Sequence, residues 1–163
     1  MATIVTTSIV TPQLTAVSTT EDIPVGTRVD CTDGGKAVYS QAVGELAQYG
    51  AVTLSADGTA APLTTTTAIA SKKVGFADTV SIASGSYGWI RTSGRPKVKL
   101  AANCDDAVTL FTTATAGVLD DATVSASQVL GVVSTVTISN ATAVTCIVAD
   151  GAMIAVFGAS PGA

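Results

Sequence analysis

The sequence predicts an all-β protein: compact sandwich- or barrel-like lobes, an extended N-terminal arm and little helix. Three observations carry that prediction. Thr fills about one position in six and keeps company with Val, Ile and Ala, a mixture that suits strands and their connecting loops and disfavours long helices. Val136-Thr137-Ile138-Ser139 alternates with the period of two that marks a half-buried strand, and Val144-Thr145-Cys146-Ile147-Val148 reads as another. Turn signals recur at Asp33-Gly34-Gly35, Asp57-Gly58, Ser84-Gly85, Ser93-Gly94, Ala116-Gly117 and Asp150-Gly151, the punctuation of a sandwich or barrel of short strands.

Residues 1–23 are rich in Thr and Ser, carry Pro12 in their middle and lack turn chemistry that would fold them back on themselves. They read as an extended arm that orders against a neighbouring subunit, where an added strand gains backbone hydrogen bonds; a disordered tail is the alternative. A small lobe over 24–70 holds strands near Arg28–Cys31, Lys36–Val43 and Ala51–Leu54, then a turn at Ala56-Asp57-Gly58. Gln41–Tyr49 is Ala-rich enough for a turn or two of helix, weakened by Gly44. The polar run Leu63–Ala68 connects to a larger sandwich or barrel lobe over 71–157. Its strands fall near Val74–Ala77, Tyr87–Thr92, Val98–Ala101, Val108–Thr112, Val129–Thr137, Val144–Val148 and Met153–Phe157, and 158–163 form a flexible tail.

Composition limits what such a protein does. Apolar residues make up 47% of the 163, but only seven residues are aromatic, so the core is filled with small side chains. Each contributes little at about 25 cal/mol per Å² buried, and partner surfaces are expected to supply the rest. Charged residues reach 12%, about half the ordinary share for a soluble domain, and mean hydropathy is +0.51. A membrane protein or a covered surface explains this. No apolar run approaches the roughly 18 residues of a spanning helix, and the N-terminus lacks the basic start of a secretory signal. Assembly is therefore expected, with no membrane partner. The net charge of −4 argues against nucleic acid, whose binding needs clustered Lys and Arg. Cys31, Cys104 and Cys146 are odd in number and widely spaced, which suits buried thiols in a reduced compartment.

A search for chemistry returns little. The chain has no histidine, no nucleophile elbow, no P-loop and no dinucleotide fingerprint. No enzymatic activity, catalytic residue, cofactor or metal site is expected. The doublets Asp105-Asp106 and Asp120-Asp121 suit turns or caps better than ion ligands, because neighbours on a strand point to opposite faces. Four of the eight basic residues fall in one run, Arg91, Arg95, Lys97 and Lys99. A strand through Lys97-Val98-Lys99-Leu100 puts both lysines on one face, a strip able to dock on an acidic partner or simply to guard a solvated edge. Tyr87 and Trp89, two residues apart, share a face and read as a structural anchor rather than a ligand platform.

Ser84-Gly85-Ser86-Tyr87-Gly88-Trp89-Ile90 resembles a stretch of the small β-rich proteins encoded beside major capsid genes in tailed phages. So do the turn in Leu110–Asp120, the re-entering strand Gln128–Val132, and the pair Ile23–Thr27 and Asp33–Ala37 in the first lobe. The likeness covers roughly residues 20–150. It implies a capsid decoration, or cement, protein: a homotrimer on the shell's local three-fold positions, partnered by the major capsid protein, assembled in the host cytoplasm and resident on the virion surface. It implies no catalytic residue and no cofactor. A head fibre or host-adhesion module is the alternative, though no stalk or aromatic-rich loop is evident. A shell protein proper is a third reading, against which stand the short length and the missing long helix.

Overall fold

The computed structural model describes residues 14–68, 72–78, 80–122 and 127–155. Those residues are all-β, with twelve strands and no helix. The expectations for residues 1–13 and 158–163 lie outside them.

Five strands close on themselves first: β3 (Lys36–Ala42), β4 (Ala51–Leu54), β5 (Thr59–Pro62), β6 (Lys73–Phe76) and β7 (Tyr87–Arg91). β3 runs parallel to β5, and the remaining neighbours are antiparallel in the order β5, β4, β6, β7 and back to β3. The closing pair is Phe76 with Arg91. A second ring follows from β8 (Lys97–Leu100), β9 (Thr109–Thr112), β10 (Leu119–Asp120), β11 (Gln128–Ser134) and β12 (Thr142–Ile154). β8 is parallel to β10, and the order then runs antiparallel through β9, β11 and β12 back to β8. Closure leaves neither ring an open edge to pair with a stranger.

The two rings share one topology, strand for strand. A repeat in the sequence underlies it. Ala51-Val52-Thr53-Leu54 recurs as Ala107-Val108-Thr109-Leu110, 56 residues later. At the same offset, Val74-Gly75-Phe76-Ala77-Asp78-Thr79-Val80-Ser81-Ile82 recurs as Leu130-Gly131-Val132-Val133-Ser134-Thr135-Val136-Thr137-Ile138. Backbone bonds repeat as well: Ile82 N–H donates to the Leu46 carbonyl and Ile138 N–H to that of Cys104, each at 2.9 Å.

The changeover between rings lies at residues 92–96, whereas the sequence reading divides the lobes at 70/71. The Thr-rich stretch that resembles a linker is a compact turn inside the first ring. Thr64 N–H donates to Thr67 Oγ1 at 2.8 Å, Thr67 N–H to Thr64 Oγ1 at 3.1 Å, and the Thr67 hydroxyl to the Pro62 carbonyl at 2.8 Å. Three further expectations change. Gln41–Tyr49 forms no helix; β3 takes its start, and Leu46 makes an isolated bridge to Ile82. Val136–Ser139 is loop, despite its alternation. Val144–Val148 and Met153 belong to one long strand, β12, which bulges between its pairings at Val148 and Met153 and projects Asp150 and Gly151 (φ +92°).

Each ring has its own interior. Ala42, Val52, Ala60 and Ile90 fill the first with Leu46 and Ile82; Val98, Leu100, Leu110, Leu119, Val129 and Cys146 belong to the core of the second. Ala51, Leu63, Val74 and Phe76 leave the first ring's outer face to join that second core, locking the rings together. β6 also touches β12 through Lys73 and Met153.

The described part of the expected arm, residues 14–23, packs on its own chain. β1 (Val17–Ser18) pairs with Gly88 and Tyr87, and β2 (Arg28–Asp30) with β3. Leu14, Ile23, Val29 and Cys31 cover Tyr39, Tyr87 and Trp89 there.

Candidate functional site

The basic run does not stay together. Arg91 is buried, and its Nη2 reaches Asp33 Oδ2 at 2.6 Å and the Ser93 carbonyl at 3.3 Å, with Nη1 3.8 Å from Asp78 Oδ2. The guanidinium holds the Asp33 carboxyl below the usual carboxylate range. Arg91 is thus a clamp on the link between rings, held inside by the carboxylates that compensate its charge, and it takes no part in a docking strip. Arg95 and Lys97 are exposed and Lys99 half-buried. Lys97 Nζ lies 5.5 Å from the centroid of the Tyr49 ring, within cation–π range.

Tyr87 and Trp89 sit on β7 beside Tyr39 of β3. The Tyr39 ring stacks on Tyr87 at 6.1 Å and meets Trp89 edge-on at 5.2 Å. Trp89 is buried and Tyr87 half-buried beneath the N-terminal segment, so the pair fastens that segment to the first ring. The two acidic doublets also converge: Asp105 N–H donates to Asp121 Oδ2 at 2.9 Å, and the Thr137 hydroxyl to Asp106 Oδ1 at 3.2 Å. Their carboxylates accept from backbone and hydroxyl groups, as turn residues do, and the described residues contain no group of three or more His, Cys, Asp or Glu able to hold a metal. Burial pushes the Cys104 and Cys146 thiols up to about 11 and about 12.

Two surfaces emerge that residue order does not announce. One is the outer face of the second ring. Val133 faces Ile147 across β11 and β12, and Leu130 faces Met153; all four are exposed, as is Val136 just beyond. Lys97 stands opposite Thr145, and Lys99 opposite Ala143, on the neighbouring β8. The result is one face with an apolar centre and a basic flank. The sequence signal lies in outward positions of strands that carry Leu, Val, Ile and Met where a solvated face takes polar residues.

The other surface is the open end of the first ring, a cavity of about 580 Å³ lined by Val38, Ser40, Leu54, Lys72, Lys73 and Asp150 among others. Arg28 of β2 borders it as well. Lys36 forms an ion pair with Asp150 of the β12 bulge, which raises the lysine and lowers the carboxylate.

No protein-family model and no curated protein matches this chain.

Proposed function

We propose that the chain is a virion structural protein, a cement protein that binds the outer surface of a tailed-phage capsid as a homotrimer and reinforces it across capsomer boundaries. The observation that carries this reading is the outer face of the second ring. Exposed apolar pairs across neighbouring strands mark a docking surface; here Val133 with Ile147 and Leu130 with Met153 lie on either side of the β12 bulge, with Lys97 and Lys99 on the next strand of a chain whose net charge is −4. That combination complements an apolar patch with an acidic border on the shell. The two closed rings and the sparse charge support a protein whose work is contact, and the phage-like motifs supply the partner.

Reinforcement of this kind is multivalent. One patch per subunit is a modest binder, yet a trimer engages its second and third sites intramolecularly, which raises avidity by about 10² or more. A Val133→Asp/Ile147→Asp variant tests it, because both side chains are exposed and their loss leaves the core intact. It is expected to remain folded and to lose binding to shells that lack the protein, measured by co-sedimentation. Shells without the protein are expected to release DNA at lower temperature. Unchanged thermal release, or full binding by the variant, defeats the reading.

A further inference from the structure

The two rings share a topology but not a filling. In the second, Leu100 pairs in parallel with Leu119; in the first, Ala42 pairs with Ala60 in the same place. Two residues earlier on the same inward register, the second ring has Val98 and the first Ser40. Leu110 faces Val129 in the second ring, and the equivalent Leu54 faces Lys73. Smaller and more polar residues thus occupy the first interior, and it opens into the cavity of about 580 Å³, within the roughly 300–1,000 Å³ range of small-molecule sites.

Two further features give that cavity a chemical preference. Ser40 is 1% exposed, and its Oγ has no hydrogen-bond partner. A buried hydroxyl left unpaired is costly to the fold, and this one stands at the wall of the cavity with its hydrogen-bonding capacity unused. Arg28, Lys72 and Lys73 line the same space. Among the described residues, none of the three makes an ion pair, while the one lining carboxylate, Asp150, is matched by Lys36. Val38, Leu54 and Ala152 provide apolar wall.

The geometry points to a binding site at the mouth of the first ring for a small organic anion with an apolar body. The anionic head is held by Arg28, Lys72 and Lys73, the body lies against Val38 and Leu54, and Ser40 Oγ supplies the single inner hydrogen bond. The site is built chiefly on the first ring, with Asp150, Gly151 and Ala152 of β12 completing its rim, and it stands whether or not the chain binds a capsid.

The test titrates the full chain with 8-anilinonaphthalene-1-sulfonate, whose rings and sulfonate match the two halves of the site. One dye per chain is expected, with enhanced fluorescence. Arg28→Glu/Lys73→Glu is expected to weaken binding about tenfold or more, as is Ser40→Leu, which fills the inner wall, whereas Ile147→Asp leaves it unchanged. Decanoate is expected to displace the dye at about one tenth the concentration that decanol needs, and inorganic phosphate alone not to displace it. Dye binding lost in Ile147→Asp and kept in the mouth variants places it on the docking face and overturns the proposal. Equal displacement by decanol and decanoate, or no saturable binding, also overturns it. If Ser40→Leu fails to fold, the rim variant decides alone, since its two side chains are at the surface.

Discussion

The first ring is loosely filled inside and covered outside; the second is filled inside and bare outside. Ser40 stands at the mouth of the first ring above an interior packed with Ala42 and Ala60, and the N-terminal segment buries Trp89 and Tyr39 on its flank. Leu100, Leu110 and Leu119 fill the second, while Leu130, Val133, Ile147 and Met153 remain exposed. Duplicated topology therefore does not duplicate interior or surface chemistry. Closure satisfies the backbone in both copies, and side chains then divide the tasks: one copy keeps an internal cavity, the other an external apolar face.

The largest break in the contrast comes from hollowing the second ring. Leu119→Ala gives it the residue the first ring has in Ala60, and is expected to cost about 3 kcal/mol because the packed interior collapses only in part. A fall in the urea midpoint without a change in slope reports it. Arg91→Met acts between the rings. It strands Asp78, 16% exposed at its side chain, and Asp33, which keeps more contact with water. The expected loss is about 2 kcal/mol, below the full cost of breaking a buried pair because exposed charge is screened. Thermal unfolding of the two variants side by side ranks them.

Alkaline pH separates the rings by chemistry. Cys104 and Cys146 both belong to the second core, and their thiols are raised from 9.0 to about 11 and about 12 by burial. Above pH 9 the unfolded thiols lose protons that the folded ones keep, so this contribution is intact below pH 9 and is lost as pH rises toward 11–12. Urea midpoints are expected to fall between pH 9 and pH 10, and Cys104→Ala/Cys146→Val to flatten that fall. The smallest effect has the opposite sign. Ser40→Val gives the first ring the residue that the second has in Val98, removes an unpaired hydroxyl, and is expected to stabilise by about 1 kcal/mol while weakening dye binding. A variant that is stabler and binds equally well would make Ser40 a packing residue only.

Much of this architecture is readable from residue order, and the exceptions have physical causes. Ala51–Leu54 is a strand in both readings, and most of the other expected strands keep their places to within a residue or two at their ends. β1, β5 and β10 escape notice because Val-Ser, Thr-Ala-Ala-Pro and Leu-Asp are too short or too uniform to carry a period. Val136–Ser139 alternates as a strand should, yet Ser134 Oγ donates to the Val136 carbonyl at 2.8 Å and Ile138 N–H to Cys104, which diverts the backbone from a ladder. Of the expected docking residues, Lys97 and Lys99 share the face that borders the apolar patch, as their alternation implies. Arg91 parts from them because only the fold brings Asp33 and Asp78, distant in sequence, to its guanidinium.

Residue order by itself determined that this chain is all-β, that charged residues make up only 12% of it, and that Tyr87 and Trp89 share a strand face. Those are local or compositional properties, set by propensity and by the two-residue period. Tertiary structure decided the rest: which carboxylates meet Arg91, that one topology occurs twice, and that Ser40 and Lys73 stand where the sister ring has valines. Each depends on register between strands far apart in the chain, and register is settled only when both rings close.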